Sequence, residues 1–516
     1  MTVLGKCNTC RARKIKCDEV KPVCGRCRKV GRECSYTAER NDQTGLSVRS
    51  SSTAAHGLGR YHTLILERNK AKPRLLSSGT DVILAQRWAN ACMSELDFGG
   101  LWQTIPVRLG HDEILDAAVT YHLDCQDFFK TQSDTSALTL LRSGTKAMEA
   151  MRMAVAKPRR DTRNAVAISM VVLAVAEAYR DFSGFAWSCH IQGFLGLRQA
   201  SWMTDEGRAL MEVLIGGLWA AEVAEAVYAD TDSLLDNGSI SPPLSTLPDE
   251  NQLRHACNFV KDKMILVPRL VRYTRQFAAQ LYDAELVPQI QSLVTSLYDH
   301  DFMLQMEAFI SSITTTHPAL HMPFTNPLNR SFTIANGQVY WLLAKYYMYR
   351  TIICGTMLRL WMLGMVPTSA HDKSSIEQED VRVAEKLCMC VEYATSGGPG
   401  ADFKILDIRS PITLAWGALN RHEQRLINAQ ADGQPLDIAA VERTRSMKVY
   451  CKQTFDMIRE IWHGGDAWTA DFEPWAETYT GGPPMPWLLL KRVASPKQAS
   501  KSPAMIDELE HVDDES

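Results

Sequence analysis

The sequence predicts a mostly α chain in very unequal parts: a small cysteine-rich module, a flexible linker and a large all-α helical domain. Three observations predict it. Six of the 14 cysteines fall within the first 34 of 516 residues. Apolar residues recur at helical spacing through most of residues 81–490, and strand alternation bounded by hairpin turns is scarce there.

The cysteine-rich module contains one pattern twice. Cys7-x2-Cys10-x6-Cys17 is followed, at an offset of 17, by Cys24-x2-Cys27-x6-Cys34. Thiolates this dense, with no other cysteine until Cys92, point to a soft metal rather than a hydrophobic core. Two tetrahedral zinc ions need eight ligand positions, so six cysteines suffice only if two of them bridge. Three disulfides are the competing reading, but the start (Met1-Thr2-Val3-Leu4-Gly5-Lys6) lacks the apolar stretch of a secretory signal. An iron–sulfur site would not explain the repeat or its basic flanks. Residues 7–34 contain only Ile15, Val20, Val23 and Val30 as large aliphatics, too few to fold the segment unaided, so metal must supply most of its folding free energy.

Cys10-Arg11-Ala12-Arg13-Lys14-Ile15-Lys16-Cys17-Asp18, then Lys21-Pro22-Val23-Cys24-Gly25-Arg26-Cys27, resembles the fungal Zn(II)2Cys6 binuclear-cluster transcription factors. The resemblance implies two Zn2+ ions bridged by Cys7 and Cys24, with Cys10 and Cys17 completing one site and Cys27 and Cys34 the other. It also implies double-stranded DNA as partner, a CGG-type triplet as target, Lys14 as the base-reading residue and Arg13 as its neighbour. With every coordination position filled by protein, the metal is structural and leaves no open site for a water nucleophile.

Charge points the same way. Ten lysines and arginines against three acids give residues 1–34 a net +7, and six thiolates with two Zn2+ reduce this to about +5. The whole chain is −3, so the residues after 34 sum to −10. A basic head on an acidic body is the footprint of a protein that touches a polyanion at one end. Arg11, Arg13, Lys14 and Lys16 lie between two metal ligands on one expected short helix, where Lys or Arg can donate to guanine O6 and N7. Arg11, Lys16, Arg26, Arg28 and Lys29 are expected on phosphates. Gly31 interrupts the corresponding stretch of the second half, which is therefore read as less suited to a recognition helix. A zinc-stabilised interaction or metabolite-sensing regulator that does not itself read DNA is the alternative.

Residues 1–40 are thus expected to form the DNA-binding module and 41–80 a flexible linker, with Ser47, Ser50, Ser51, Ser52 and Thr53 clustered among glycines. No apolar heptad is sustained there, because Leu64, Ile65 and Leu66 are consecutive and Pro73 interrupts. A zipper is unsupported, which leaves single-site binding or a homodimer through the large domain.

Residues 81–490 are expected to be a helical regulatory domain, with helices near 112–130, 136–156, 163–181, 205–230, 267–311 (with internal breaks), 336–364, 376–395 and 410–430. A further stripe runs through Met447, Cys451, Phe455, Ile458 and Trp462. The length suggests two lobes. Layout and a Trp/Gly/Pro-rich end resemble the fungal-specific transcription factor domain. Of the most apolar stretches, Ala165–Ala176 is only 12 residues long and the longer Val339–Met365 is interrupted by Lys345, Arg350 and Arg359, so no membrane span is expected. No enzyme is expected either: the phosphate-loop, serine-hydrolase and zinc-protease patterns are missing, and His422-Glu423-Gln424-Arg425-Leu426 has leucine where a second histidine is required. Cys388, Cys390 and Cys451 are read as buried apolar residues.

Residues 491–516 are read as an acidic disordered tail, in which Met505, Ile506, Leu509 and Val512 alternate with acids; it either solubilises the chain or binds a coactivator. The sequence therefore describes a nuclear, sequence-specific regulator of transcription, controlling a metabolic or secondary-metabolite gene set as such relatives do.

Overall fold

The computed structural model describes residues 9–10, 13, 16–18, 20, 23–31, 34, 79–91, 105–157, 163–181, 186–197, 205–236, 252–280, 284–319, 324–367, 371–396, 401–431, 435–462 and 472–484. They fall into two units, one within Met1–Pro73 and one within Arg74–Ser516. The second is a single unit, where length alone suggested two lobes. Nearly all of the 41–80 linker and the whole 491–516 tail lie outside the described residues.

The first unit contributes α1, Gly25–Lys29. In the second, α2 (Gly79–Ala91) precedes a 3-10 turn at Pro106–Arg108 and then α3 (Glu113–Thr131), α4 (Asp134–Ala156), α5 (Arg163–Asp181), α6 (Ala186–Leu197) and α7 (Asp205–Ala229). Next come α8 (Gln252–Gln280), α9 (Leu286–Leu297) and α10 (His300–Ile313). A short antiparallel hairpin, β1 (Thr315–Pro318) with β2 (Arg330–Thr333), pairs Thr315 with Thr333 and Pro318 with Arg330. The chain continues through α11 (Gly337–Met362), α12 (Lys373–Cys388), α13 (Val391–Thr395), α14 (Ala401–Asp407), α15 (Arg409–Ala431), α16 (Ile438–Ile461) and α17 (Phe472–Tyr479).

Helix starts are set by short polar side chains that satisfy otherwise orphaned N–H groups. Asp112 accepts from Ile114 N–H at 3.0 Å, Asp299 from Phe302 at 3.1 Å, Asn336 from Gln338 and Val339 at 3.0 Å, and Asp437 from Ala440 at 2.9 Å. The Asp299 cap also accounts for one break in the expected 267–311 helix, since it starts α10 directly after α9. At its other end that helix begins earlier, at Gln252, and carries Pro268 within it. Proline removes one helical hydrogen bond, but Met264, Ile265, Leu266, Val267, Leu270 and Val271 are all buried around it, and packing outweighs the local loss.

The core is organised around α11, which is buried on nearly every face and packs against α8, α12 and α15. Its two inward cations are matched: Lys345 pairs with Asp407, while Arg350 pairs with Glu379 and donates to the Tyr346 hydroxyl at 2.9 Å. Among the described residues no helix is long and apolar enough to cross a membrane. A second cluster joins α3, α5 and the end of α16, with Trp462 4.8 Å from the Phe129 ring and stacked 5.4 Å from Tyr179. His122 sits between Trp88 and Tyr179, and burial pulls its imidazole down to about 3, so it stays neutral.

The Trp/Gly/Pro-rich end contains α17, anchored by Arg275. Its Nε donates to the Gly482 carbonyl at 2.9 Å, Nη1 to Val227 O and Asp230 Oδ1 at 2.8 Å, and Nη2 to Thr478 O at 2.8 Å. Gly481, at φ 82°, makes the turn that brings these carbonyls round; a Cβ there would meet Thr274 Cγ2 at 2.5 Å. Arg275→Met strands several buried acceptors and should cost about 3 kcal/mol. Urea unfolding followed by far-UV circular dichroism measures this, and an unchanged midpoint would show that the anchor contributes nothing.

Candidate metal centre and nucleic-acid interface

In the second half of the repeat, Cys24 occupies the N-cap of α1 with extended backbone, and its Sγ accepts from Cys27 N–H at 3.3 Å. A thiolate here meets the positive end of the short helix. Cys34 Sγ in turn accepts from Cys24 N–H at 3.3 Å. Chain reversal is achieved at Gly31, whose φ of 61° lies in the left-handed region and whose N–H reaches Arg28 O at 3.3 Å. Gly31 is expected from the sequence to weaken a helix interior. It lies beyond the helix end instead, so α1 is only five residues long.

The two halves are tied by a contact that spacing does not reveal. Asp18, directly after the third cysteine, accepts from Gly25 N–H at 3.0 Å. A Cβ at Gly25 would lie 2.4 Å from Asp18 Oδ2, so any side chain there displaces the carboxylate. In the first half, Arg13 N–H bonds to Thr9 O at 3.3 Å, the i to i−4 bond of a helical turn.

The sulfurs converge. Cys10, Cys17 and Cys24 form one group with Sγ atoms within 4.8 Å of one another, and Cys24, Cys27 and Cys34 form a second. Cys24 belongs to both. Cys10 Sγ is 3.7 Å from Cys24 Sγ and 4.0 Å from Cys27 Sγ. Zn–S bonds of about 2.3 Å in a tetrahedron put neighbouring sulfurs about 3.8 Å apart, so the spacing fits thiolates sharing a metal. It does not fit disulfides, whose sulfurs lie about 2.05 Å apart, and none of these five cysteines is in a disulfide. Cys10, Cys17, Cys24 and Cys27 are buried, with Val23 and Cys34 packed against them. Among the described residues no other group of three or more histidines, cysteines or acids is close enough to hold an ion.

Of the expected nucleic-acid contacts, Arg13, Lys16, Arg26, Arg28 and Lys29 are all exposed. Cys7, Arg11 and Lys14 lie outside the described residues. In the helical unit, Cys388 Sγ lies 3.7 Å from Cys451 Sγ, a pairing the sequence reading missed because the residues are 63 positions apart. Their hydrogen bond and burial hold the Cys451 thiol well above its usual range, so it remains protonated in the core. Glu423 of the incomplete protease-like pattern is half of an ion cluster: it accepts from Arg445 at 2.6 Å and Lys448 at 2.8 Å.

Gly25→Ala should drive the Asp18 carboxylate off its amide and loosen the support of the Cys24 ligand. About 10-fold weaker zinc retention is expected, by analogy with loss of other outer-shell hydrogen bonds. Competition with a chromogenic chelator reads this, and wild-type retention would show that the Asp18 link is dispensable.

The sequence profile of the fungal Zn(2)-Cys(6) binuclear cluster domain matches residues 6–43. Over 37 residues, 7% of this chain, the protein is 51% identical to the sorbicillinoid biosynthetic cluster transcription factor sor3 of Hypocrea jecorina, covering 6% of that relative. It is 32% identical over 103 residues to the C6 finger domain transcription factor hasF of Aspergillus fumigatus, covering 18% of this chain and 14% of the relative. It is 68% identical over 28 residues to the transcription activator AMTR1 of Alternaria alternata, covering 5% and 4% respectively. The matches thus span a small fraction of each relative's length. No solved structure matches the chain. The repeated cysteines, their convergence on Cys24 and the profile match identify the N-terminal segment as a member of the fungal Zn(2)-Cys(6) binuclear cluster family, a domain that binds two zinc ions.

Proposed function

We propose that this chain is a nuclear, DNA-binding regulator of transcription that reads a CGG-type triplet through its zinc cluster. The observation that carries the reading is the position of Cys24 in both sulfur groups, with exposed basic side chains on the turns that the sulfurs hold together. In this proposal Cys7 and Cys24 bridge the two ions, Cys10 and Cys17 complete one site, and Cys27 and Cys34 the other. The zinc supplies folding free energy and fixed geometry, and takes no part in chemistry.

The two halves then serve different ends. Lys14, with Arg13, reads base edges from the first half. Arg11, Lys16, Arg26, Arg28 and Lys29 hold phosphates and set register. α1 is too short, at five residues, to read several bases along a groove, but its exposed Arg26, Arg28 and Lys29 suit backbone contact. Residues 1–40 act as the reader, 41–80 as the linker, 81–490 as the regulatory body and 491–516 as the acidic segment for a coactivator. The relative named for a biosynthetic cluster supports a metabolic or secondary-metabolite gene set as the target.

Fluorescence anisotropy of the zinc-loaded full chain on CGG and scrambled duplexes tests this directly. Lys14→Ala should cost about 1–3 kcal/mol on CGG and relax base preference. Equal wild-type affinity for both duplexes would overturn the reading. Arg28→Ala should weaken every duplex alike and lower the slope of log K against log salt by about 0.9 for the lost phosphate contact; an unchanged slope would remove Arg28 from the interface.

A further inference from the structure

On the periphery of the helical unit, α4 packs one face and leaves the other to solvent. Leu140, Ala147, Met151 and Ala154 face inward, and Gly144 admits the Tyr121 ring of α3, which a Cβ would meet at 2.8 Å. On the outward face Leu138 is 62% exposed, Leu141 73% and Met153 46%. At about 100° per residue, Leu138, Leu141, Arg142, Thr145 and Glu149 form one stripe opposite the buried face.

The order of charges along that stripe is self-complementary. Asp134 and the C-cap Lys157 lie equally far on either side of the point between Thr145 and Lys146. Arg142 and Glu149 do so as well, and so do Leu138 and Met153. We propose that α4 is a homodimer surface on which two copies pair antiparallel about a two-fold axis through that midpoint. Each copy's Arg142 then meets the other's Glu149, and each Leu138 packs against the other's Met153. Self-complementarity of this kind is what an isologous contact requires. A parallel pairing in register would set Arg142 against Arg142 and Glu149 against Glu149. The occupant is therefore a second copy of this chain in reversed orientation.

At 23 residues α4 is about 35 Å long. One helix pair buries less than the roughly 1,200–2,000 Å2 of a stable interface, so the dimer is weak and concentration-dependent. It strengthens when two copies are held close on one duplex. Only that last step rests on the proposed DNA reading; self-association does not.

Sedimentation velocity of the zinc-loaded full chain without DNA tests the surface. At tens of micromolar the wild type should show a reversible monomer–dimer equilibrium. Leu138→Glu with Leu141→Glu should leave monomer, with an unchanged far-UV spectrum because both side chains are already exposed. Arg142→Glu alone should weaken the dimer at least tenfold, and Arg142→Glu with Glu149→Arg should restore it. A wild type that stays monomeric, a leucine double variant that still dimerises, or a charge swap that fails to restore the dimer would each overturn the proposal. Binding of the monomeric variants to a single-triplet duplex, measured in parallel, reports on the DNA reading independently.

Discussion

The N-terminal unit depends on metal–thiolate bonding, because nothing else among its described residues is strong enough to hold a fold. Its aliphatic residues are few, and Val20 and Val30 are half exposed even in the folded chain. The inward positions belong to Cys10, Cys17, Cys24 and Cys27. Sulfur thus replaces the hydrocarbon core, and the backbone is arranged to serve it. Cys24 caps a helix with its side chain, Cys34 accepts the Cys24 amide, and Asp18 accepts the Gly25 amide one residue on. These amide donors stabilise negative charge on the groups they reach, which favours the ligating state.

In the helical unit the organising constraint is different: charge buried inside an apolar body. Asp380 is fully buried and accepts from Arg421 Nε and Nη2, at 3.0 and 2.9 Å. Glu379, one residue earlier, takes Arg350 from α11 and Arg382 from its own helix, and Arg382 continues to Glu307 of α10 at 2.9 Å. Such pairs add little net stability over an apolar core, but breaking one is costly because it leaves an unmatched charge. They therefore penalise any slip of α11 against α12 and α15. Gly355 shows how closely the elements meet, since a Cβ there would lie 2.6 Å from Thr480 Cγ2 and 2.9 Å from Arg421.

What the sequence revealed, and what it hid, follows from the range of the interactions. Metal ligation imposes short, regular spacings, so the cysteine repeat and its need for bridging sulfurs were legible; so were helix starts made by local caps such as Asp112 and Asn336. The Asp18–Gly25 link was not, because nothing in the spacing pairs those residues. The start of α8 at Gln252 was not legible either, and burial of the neighbours of Pro268 carries the helix through a residue that locally disfavours it. Gly31 misled: its composition signal was real, but it marks a helix end rather than a defect. The Cys388–Cys451 contact needs two helices to be packed before it exists.

Under the CGG reading proposed above, a three-base target recurs by chance far too often for one cluster to select genes among the many competing sites of a genome. Behind the cluster, Pro73 and the unspaced Leu64-Ile65-Leu66 give no coiled-coil seam. In the dimer proposed for α4, the helical body recruits the second copy. A contact strong enough to dimerise the free chain would fix half-site spacing in advance. A weak one lets the DNA decide, because two triplets at the right separation raise the effective concentration of each copy for the other. The exposed leucines and mirrored charges of α4 suit the weak regime: one helix pair, stabilised by salt-sensitive ion pairs and a modest apolar seam. Selectivity in that arrangement resides in the spacing of two sites as much as in the bases of either.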